Sequence, residues 1–400
     1  MQSLHPNGAT LYCFYDFSVC PASYDFFAFL YAAETCRIRR DLKSIDIILI
    51  KGPVQNFRGD GLRTKEINET FFLNVIIPGL SILPSIESYL WVTRDSLNIS
   101  DINKMNIFPR GYQLEKPTAE YMLKELTAAK IRGDKPGFFR APAFANGLAR
   151  EFISAEIGMG PFITLTTREE DRSDHNTRRI NKDMWFGVFK KLKDKGITPI
   201  IVRDTAKTFN KPIFDDIIEV SAASIHLPFR LALYENALCN FTRNNGTANL
   251  KFFSKSVVRY FAEFSEHKNF LSKNWWKGNY GMTLGSQLPM TTTTSEIIWG
   301  PENSDYILET IKNLSGSNLS TELMHGFNSQ ENLQASVNTS LKLFVKNASF
   351  GLLQEDAMLL ENIVKQGATD LKDSLLTWQK EGIIPKNTIS ILEENYNLKL

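Results

Sequence analysis

The chain has 400 residues, of which 43% are hydrophobic and 22% charged. This composition is typical of a folded globular protein and excludes an intrinsically disordered chain, while the length favours two domains over one. The 46 basic residues nearly balance the 44 acidic ones, giving a formal charge of +2, so the overall charge does not favour binding to nucleic acid.

The cysteines and the first residues indicate a compartment. The 4 cysteines form no Cys-x-x-Cys pair and have no histidine at metal-site spacing, so neither a disulfide framework nor a zinc site is expected. The first residues lack the basic and then apolar pattern of a signal peptide. No apolar run reaches the roughly 18 residues of a membrane-spanning helix. We therefore expect a cytoplasmic protein without a transmembrane segment.

Residues 1–155 alternate strand-like and helix-like segments. The apolar run ATLYCFYDF predicts a strand, SYDFFAFLYAAETCRIRRDL has the apolar spacing of a helix, and IDIILIKGP predicts a buried parallel strand. Together these three segments form a βαβ unit. Further along, SYLWVTRD predicts a strand and TAEYMLKELTAAKIRG an amphipathic helix. Residues 1–155 are therefore predicted to form one α/β domain.

Residues 156–315 repeat this alternation. Strands are predicted at GPFITLTTRE, ITPIIVRD, FDDIIEVSA and LCNFTR, and helices at NKDMWFGVFKKLKDKG and LPFRLALYENA. This order predicts a second doubly wound parallel sheet. Residues 316–400 have helical periodicity and few strand signals, which predicts a helical appendage that could serve oligomer formation.

The turn Asn244-Asn245-Gly246-Thr247 is the first candidate for binding chemistry. In an open α/β sheet, ligands bind beyond the carboxyl ends of the strands. A helix that begins near Thr247 would place free N–H groups and the positive end of its dipole there, which favours a phosphate. Gly246 would allow left-handed dihedral angles and a close backbone approach. The alternative is a plain turn, because Asn-Asn-Gly is also good turn chemistry.

The segment TLTTREEDRSDHNTRR follows the first strand of the second region. Its four arginines and four acidic residues leave no net charge, so it is not a polybasic tail. Arginine binds phosphate oxygens through two parallel hydrogen bonds and keeps its charge at any working pH. We therefore expect Arg168, at the strand end, to bind phosphate, with Arg178 and Arg179 beside it. The alternative is a solvated loop of exposed ion pairs. At the end of the next strand, Asp204 is a candidate for holding a ribose hydroxyl.

The loop after the first strand, YDFSVCPASYDF, carries two candidate general bases, Asp16 and Asp25. If the two sheets face each other, this loop lies opposite the arginine-bearing segment and the Asn-Asn-Gly turn. A carboxylate there could then take a proton from a hydroxyl nucleophile. The alternative for Asp25 is a cap on the helix that begins at Phe26.

Several catalytic motifs are missing from the sequence. Gly-x-x-x-x-Gly-Lys-Ser/Thr, Gly-x-Gly-x-x-Gly and Gly-x-Ser-x-Gly do not occur, which removes support for P-loop phosphotransfer, the usual dinucleotide fingerprint and α/β-hydrolase chemistry. No Asp-x-Asp pair is present to bridge a metal and a diphosphate. We therefore expect neither a metal nor a cofactor.

Four segments together resemble a group of bacterial proteins with a GT-B glycosyltransferase-like organisation, linked to surface glycan assembly: FYDFSVCPASYDF, FPRGYQ, TLTTREEDRSDHNTRR and ALYENALCNFTRNNGT. The resemblance implies two facing Rossmann-like domains, with a nucleotide-sugar on the second and a glycan acceptor near the first. In such enzymes a basic residue and helix N-terminal amides stabilise the leaving diphosphate without a metal, and Arg168 and the turn at 244–247 occupy the matching places. The group has an Arg-Asn-Ser step before a Trp, whereas RRINKDMW keeps only Arg178 and Trp185.

The sequence therefore predicts a metal-independent glycosyltransferase that moves a sugar from a nucleotide-sugar to a glycan or related acceptor. Asp16 or Asp25 would take the acceptor's proton, and Arg168 would neutralise the departing diphosphate. Two alternatives stay open. A sugar-nucleotide epimerase shares this two-domain design, and a non-catalytic glycan- or nucleotide-binding protein would follow if the two carboxylates only cap helices.

Overall fold

The computed structural model describes residues 2–3, 8–59, 63–98, 105–119, 139–158, 160–168, 180–203, 205–243, 245–262, 272–274, 276, 284–288, 295–316, 376 and 380. The helix predicted at TAEYMLKELTAAKIRG lies almost wholly outside these residues, and so does nearly all of the predicted appendage.

The N-terminal half contains a sheet of four parallel strands in the order β4-β3-β2-β6. The strands of this half are β1 (Gln2–Ser3), β2 (Thr10–Asp16), β3 (Ser44–Ile50), β4 (Ile86–Val92), β5 (Leu97–Asn98) and β6 (Asn106–Phe108); β1 and β5 pair separately. Every residue of β2 is buried. Its nearly continuous apolar sequence follows from this position, because a central parallel strand is covered on both faces.

The α-helices among the described residues of this half are α1 (Asp25–Arg39), α2 (Lys65–Phe71), α3 (Ile77–Gly79) and α4 (Ala143–Phe152), and π-helical segments at Phe72–Ile76 and Ile153–Ile157 continue α2 and α4. Helix α1 covers the sheet through an aromatic face. The ring of Tyr15 on β2 makes edge contacts with Phe26 and Phe29, at centroid distances of 4.9 and 5.0 Å. Aromatic rings prefer this edge-to-face arrangement, so the phenylalanine-rich sequence after Asp25 fixes the helix against β2.

The C-terminal half contains six parallel strands in the order β12-β11-β10-β7-β8-β9. Counted within this half and from the other edge, the order is 3-2-1-4-5-6, as in doubly wound nucleotide-binding sheets. The strands are β7 (Phe162–Thr166), β8 (Thr198–Val202), β9 (Ile218–Glu219), β10 (Cys239–Arg243), β11 (Val258–Ala262) and β12 (Glu296–Trp299). The α-helices among the described residues of this half are α5 (Lys182–Lys193), α6 (Ser221–Ile225), α7 (Leu227–Asn236), α8 (Thr247–Phe252) and α9 (Ser304–Gly316).

One hydrophobic cluster runs from the N-terminal sheet to the C-terminal sheet. Tyr31 of α1 stacks on Phe253, which follows α8, with ring centroids 4.2 Å apart. The N–H of Phe139 donates to the carbonyl oxygen of Phe253 over 2.7 Å. A separate cluster around Trp185 and Phe189 of α5 covers the other face of the C-terminal sheet. The predicted α/β class, with two facing parallel sheets flanked by helices, is therefore confirmed, while the domain boundary at residue 155 stays a prediction.

The loop after β2 contacts the turn after β10 at Gly246. A Cβ atom built on Gly246 would lie 2.7 Å from the Cβ of Tyr24, closer than the roughly 3.5–4.0 Å at which non-bonded carbon atoms pack. The φ of Gly246 is −65°, so this position requires glycine for the close approach and not for the left-handed dihedrals expected from the sequence. The Tyr24 hydroxyl also accepts a hydrogen bond of 2.7 Å from Nη1 of Arg230. We call this contact of Tyr24 with Gly246 and Arg230 the junction.

A Gly246→Ala substitution should lower the free energy of unfolding by about 1–3 kcal/mol, the usual range for overpacking. The added methyl group would force Tyr24 away from the turn. Gly147→Ala is the matched control, because a Cβ at Gly147 meets nothing within 4 Å and the residue lies inside α4. That change should stabilise the protein by about 0.5–1 kcal/mol. Urea unfolding of both variants measures the difference, and equal effects would contradict the close contact.

Candidate functional site

The carboxyl ends of β7 and β10 lie side by side in the C-terminal sheet. Thr166 on β7 is in register with Thr242 on β10. Strands β8 and β9, which follow β7 in the chain, lie on one side of β7, whereas β10, β11 and β12 lie on its other side. The strand order therefore reverses between β7 and β10, which makes this the switch point of the sheet. Crevices for ligands form at such points because the connections leave in opposite directions. The structure thus places Arg168 and residues 245–247 at the same edge of the sheet.

The turn after β10 is braced by its own side chains. The Asn245 amide Nδ2 donates to Thr242 Oγ1, and the Thr247 hydroxyl donates to Asn245 Oδ1, each over 2.7 Å. These side chains hold the start of α8 in place. The backbone N–H groups of Gly246 and Thr247 stand at the beginning of this helix, where no preceding turn supplies carbonyl acceptors. Among the described residues of the turn, the side chains of Asn245 and Thr247 are already engaged, so the candidate donors to a ligand are the backbone N–H groups.

Arg168 lies two residues beyond β7 and is half-buried. The intervening Thr167 is fully buried, and its N–H donates to the carbonyl oxygen of Val202 over 3.2 Å. This bond continues the pairing of β7 with β8 past the end of the strand and fixes the position from which Arg168 extends.

Lys251, on α8, is a buried amine that is not among the predicted site residues. Its side chain has no exposed surface, its Nζ donates to Thr166 Oγ1 over 2.9 Å, and it lies 4.7 Å from the ring centroid of Tyr234. The Tyr234 hydroxyl lies 2.9 Å from the same Thr166 oxygen. Burial, and then the positive charge of Arg230, lowers the pKa of Lys251 well below its ordinary value. The Thr166 hydroxyl at the end of β7 therefore contacts an amine whose pKa is lowered.

Arg230, on α7, links this site to the junction. It is 1% exposed, and besides Tyr24 it donates to the carbonyl oxygens of Ala223 and Arg203, over 2.6 and 2.7 Å. A signal for both buried cations is present in the sequence, because Arg230 and Lys251 interrupt the apolar helical runs LPFRLALY and ANLKFF. A single basic residue in such a run is rarely buried unless it has a specific partner or task.

Asp16 ends β2 and is completely buried. Its Oδ1 accepts from the N–H and the hydroxyl of Ser18, over 2.9 and 2.7 Å. Its Oδ2 accepts from Nη2 of Arg94 and from the Tyr112 hydroxyl, each over 2.7 Å. A carboxylate has about four lone-pair sites, and these four bonds occupy them. A substrate hydroxyl could reach Asp16 only after one of these donors had moved.

Tyr112 stays a hydrogen-bond donor to Asp16. Burial, followed by the hydrogen bond to the Asp16 carboxylate, raises the pKa of the Tyr112 hydroxyl. Its ring stacks on Phe14 with centroids 4.6 Å apart. The Asp16 cluster is therefore rigid and fully hydrogen-bonded.

Asp25 has a different environment. It is exposed, and its Oδ2 accepts a hydrogen bond of 2.9 Å from the Ser23 hydroxyl. No side chain caps α1, which begins at Asp25 itself, so Asp25 does not have the capping role considered as the alternative. Its charge lies at the positive end of the helix, and it directly follows Tyr24 of the junction. Both aspartates stay candidates for the base, and Asp25 has the accessible carboxylate.

Four predicted site residues, Arg178, Arg179, Asp204 and Asn244, lie outside the described residues. Within the described ranges, no three His, Cys, Asp or Glu side chains gather in a group that could hold a metal ion. None of the helices in those ranges has the length and apolar character to cross a membrane.

Comparisons with known proteins find similarity only among solved structures, since no protein-family model and no curated protein matches the chain. A glycosyl transferase family 9 protein from Veillonella parvula has a TM-score of 0.44 and 9% identity, covering 90% of this chain and 99% of its own. ADP-heptose LPS heptosyltransferase II from E. coli also scores 0.44 at 9% identity, covering 76% and 98%. A UDP-GlcNAc 2-epimerase from Methanocaldococcus jannaschii scores 0.34 at 9% identity, covering 81% and 97%. At these scores the similarity concerns general architecture and assigns no residue.

The two aspartates should respond differently to the same isosteric change. Asp16→Asn removes the charge that holds Arg94 and puts an amide donor beside Tyr112, so the free energy of unfolding should fall by about 1–3 kcal/mol. Because Asp25 is exposed, the free energy of unfolding of Asp25→Asn should stay within about 0.5 kcal/mol of the parent value. Chemical denaturation at neutral pH measures both variants. A stable Asp16→Asn protein would contradict the hydrogen-bonded cluster.

Lys251→Met should raise the free energy of unfolding at neutral pH, because methionine fills the space without the cost of burying an amine. Since the folded pKa of Lys251 lies below the unfolded value, the parent gains stability as the pH rises through the interval between them. The difference in the free energy of unfolding between the variant and the parent should therefore shrink as the pH rises towards 10.5, the ordinary pKa of lysine. Unfolding curves across this range measure it, and a constant difference would contradict the lowered pKa.

Proposed function

We propose that the protein is a glycosyltransferase that moves a sugar from a nucleotide-sugar donor to a glycan or related acceptor. The observation that supports this most is the junction, where the switch point of the C-terminal sheet meets the loop that carries Asp16 and Asp25. A transferase needs a diphosphate site and a proton acceptor close together, and these two loops supply one each.

The donor diphosphate would bind beyond β7 and β10 in this proposal. Arg168 provides a guanidinium that can hold two phosphate oxygens, and the N–H groups of Gly246 and Thr247 provide neutral donors. Arg178, Arg179 and Asp204 remain the predicted additional contacts of the diphosphate and the ribose. Lys251 lies behind this edge, held by Thr166. An arriving diphosphate would favour its protonated form, because a nearby negative charge raises the pKa of an amine.

The acceptor hydroxyl would lie on the N-terminal side of the junction. Asp25 takes its proton while the hydroxyl oxygen forms a bond to the anomeric carbon of the donor sugar. The bond from that carbon to the diphosphate oxygen breaks, and its electron pair leaves with the nucleoside diphosphate. Arg168 and the turn amides stabilise the charge that develops on the leaving oxygen, an electrostatic contribution often worth several kcal/mol. The cations in this scheme belong to the chain itself, so the proposed transfer is metal-independent.

Nucleotide binding is the first part of the proposal to test. Of UDP, GDP, CMP and ADP, one should raise the melting temperature, because a ligand that binds only the folded state stabilises it by about 2.7 kcal/mol at 100 times its Kd. Arg168→Ala should weaken that binding by about tenfold or more. Arg150→Ala is the control, because Arg150 is exposed on α4 and belongs to neither of the two loops of the proposed site. If the nucleotide raised the melting temperature of both variants equally, Arg168 would not be part of the binding site.

Turnover tests the second part. With the matching nucleotide-sugar, release of the nucleoside diphosphate should require an acceptor, and Asp25→Asn should lower kcat by about 10²–10⁴-fold, the usual contribution of a general base. The Asp25 variant should keep the thermal shift by the nucleotide. Conversion of the donor's own sugar without any acceptor would instead identify an epimerase. Nucleotide binding with no turnover of the donor would identify a binding protein.

A further inference from the structure

The buried amine of Lys251 has no carboxylate beside it among the described residues. Its Nζ contacts the Thr166 hydroxyl over 2.9 Å and lies over the face of the Tyr234 ring. In the described part of the chain, the charged or titratable groups that act on this amine are Arg230 of α7 and the Cys239 thiol of β10. The first is a cation, and burial raises the pKa of the second to about 12. A lysine is rarely buried completely without a paired charge, because its charged form loses its hydration.

The Thr166 hydroxyl can bind either protonation state of Lys251. An ammonium group only donates hydrogen bonds, whereas a hydroxyl can donate or accept them. When the amine is charged, Thr166 Oγ1 accepts from Nζ and donates to the Tyr234 oxygen 2.9 Å away. When the amine is neutral, Tyr234 can donate to Thr166, and Thr166 can donate to the amine nitrogen. Burial raises the pKa of Tyr234, so the proton needed for this reversal is retained. A change of protonation at Lys251 therefore moves only hydrogen atoms in this cluster.

Lys251 lies behind the edge at which the diphosphate is proposed to bind. Thr166 is the last residue of β7, and Arg168 comes two residues later, a span of roughly 7 Å in extended chain. Along α8, the backbone of Lys251 lies roughly 6 Å beyond that of Thr247. These spacings place an anion bound by Arg168 and the turn on the order of 10 Å from the amine. A buried charge at this distance is screened by salt much less than an exposed one.

We propose that Lys251 takes up a proton from solvent when a diphosphate binds at the switch point, so that nucleotide binding and protonation of the buried amine are coupled. The proposal rests on the proposed function, since it concerns the diphosphate of that donor. The negative charge of the ligand stabilises the ammonium form, for which the described surroundings supply no anion. Lys251 stays behind Thr166 and does not touch the ligand. The proton returns to solvent when the nucleoside diphosphate leaves.

The coupling makes binding depend on pH in a defined direction. A reaction that takes up a proton becomes weaker as the pH rises, because proton binding and ligand binding favour each other equally. Affinity for the diphosphate should therefore fall with rising pH between the pKa of Lys251 in the free protein and its higher pKa in the complex. An amine that only fills space in the core would leave the affinity independent of pH.

Calorimetric titration of the full chain with UDP, GDP and ADP counts the protons. Each titration is repeated in Tris and in bicine, because the heat measured in the two buffers differs in proportion to the protons taken up. The range from about pH 7.5 to 9 is suitable, since phosphate groups with a second pKa of about 6 are already ionised there. Lys251→Met removes the amine and keeps the space filled. Lys190→Met, on the exposed side of α5, is the matched control. Uridine, guanosine and adenosine are the comparisons without phosphate.

The parent and Lys190→Met should take up about half a proton or more per bound diphosphate within this range, and their affinity should fall about threefold or more per pH unit. Lys251→Met should still bind the diphosphate, with almost no proton uptake and a constant affinity. Binding of the nucleosides should take up no proton. Equal proton uptake by the parent and Lys251→Met, or binding to the parent without uptake, would overturn the proposal and leave the nucleotide site intact. If UDP, GDP and ADP all failed to bind the parent, the proposed function itself would be wrong.

Discussion

Tyr24 packs directly against Gly246, and this contact limits how closely the carboxyl edges of the two sheets approach each other. The ring is held by the turn, and the hydroxyl is held by Arg230, which is itself anchored on two carbonyl groups of the C-terminal half. The loop that carries Tyr24 starts at Asp16 and runs into Asp25. The junction therefore places an aspartate-bearing loop against the switch point of the other sheet, and the proposed chemistry depends on that placement.

Charge is distributed in opposite ways on the two sides of the junction. In the C-terminal half, the amine of Lys251, whose pKa is lowered by burial, lies beside the end of β7, where it contacts Thr166 and the face of Tyr234. In the N-terminal half, the anion of Asp16 is buried beneath a half-exposed Arg94. Burying a charge costs free energy unless it is paired, and such departures from local folding rules concentrate at functional sites.

The alternation of strands and helices was predictable because each element has local periodicity: the apolar segments around Thr10–Asp16, Ser44–Ile50 and Phe162–Thr166 are all strands. The position of Asp16 at a strand end was predictable for the same reason. Its hydrogen bonding was not, because Arg94 and Tyr112 lie 78 and 96 residues away in sequence. The three-residue strand β6, which places Tyr112, is too short for a periodic signal. The need for glycine at position 246 comes from Tyr24, which belongs to the other half of the chain. The sequence therefore suggested left-handed dihedral angles as the reason for this glycine, whereas the structure shows that a side chain would clash with Tyr24.

In the proposed function, a nucleoside diphosphate binds at the switch point of the C-terminal sheet and contacts the junction. Amide hydrogen exchange, followed by mass spectrometry on the full chain with and without the nucleotide that gives a thermal shift, tests this most directly. We expect slower exchange in residues 164–168 and 245–252 when the nucleotide is bound, with a smaller effect in residues 17–25. Protection confined to other parts of the chain, with these three segments unchanged, would contradict it.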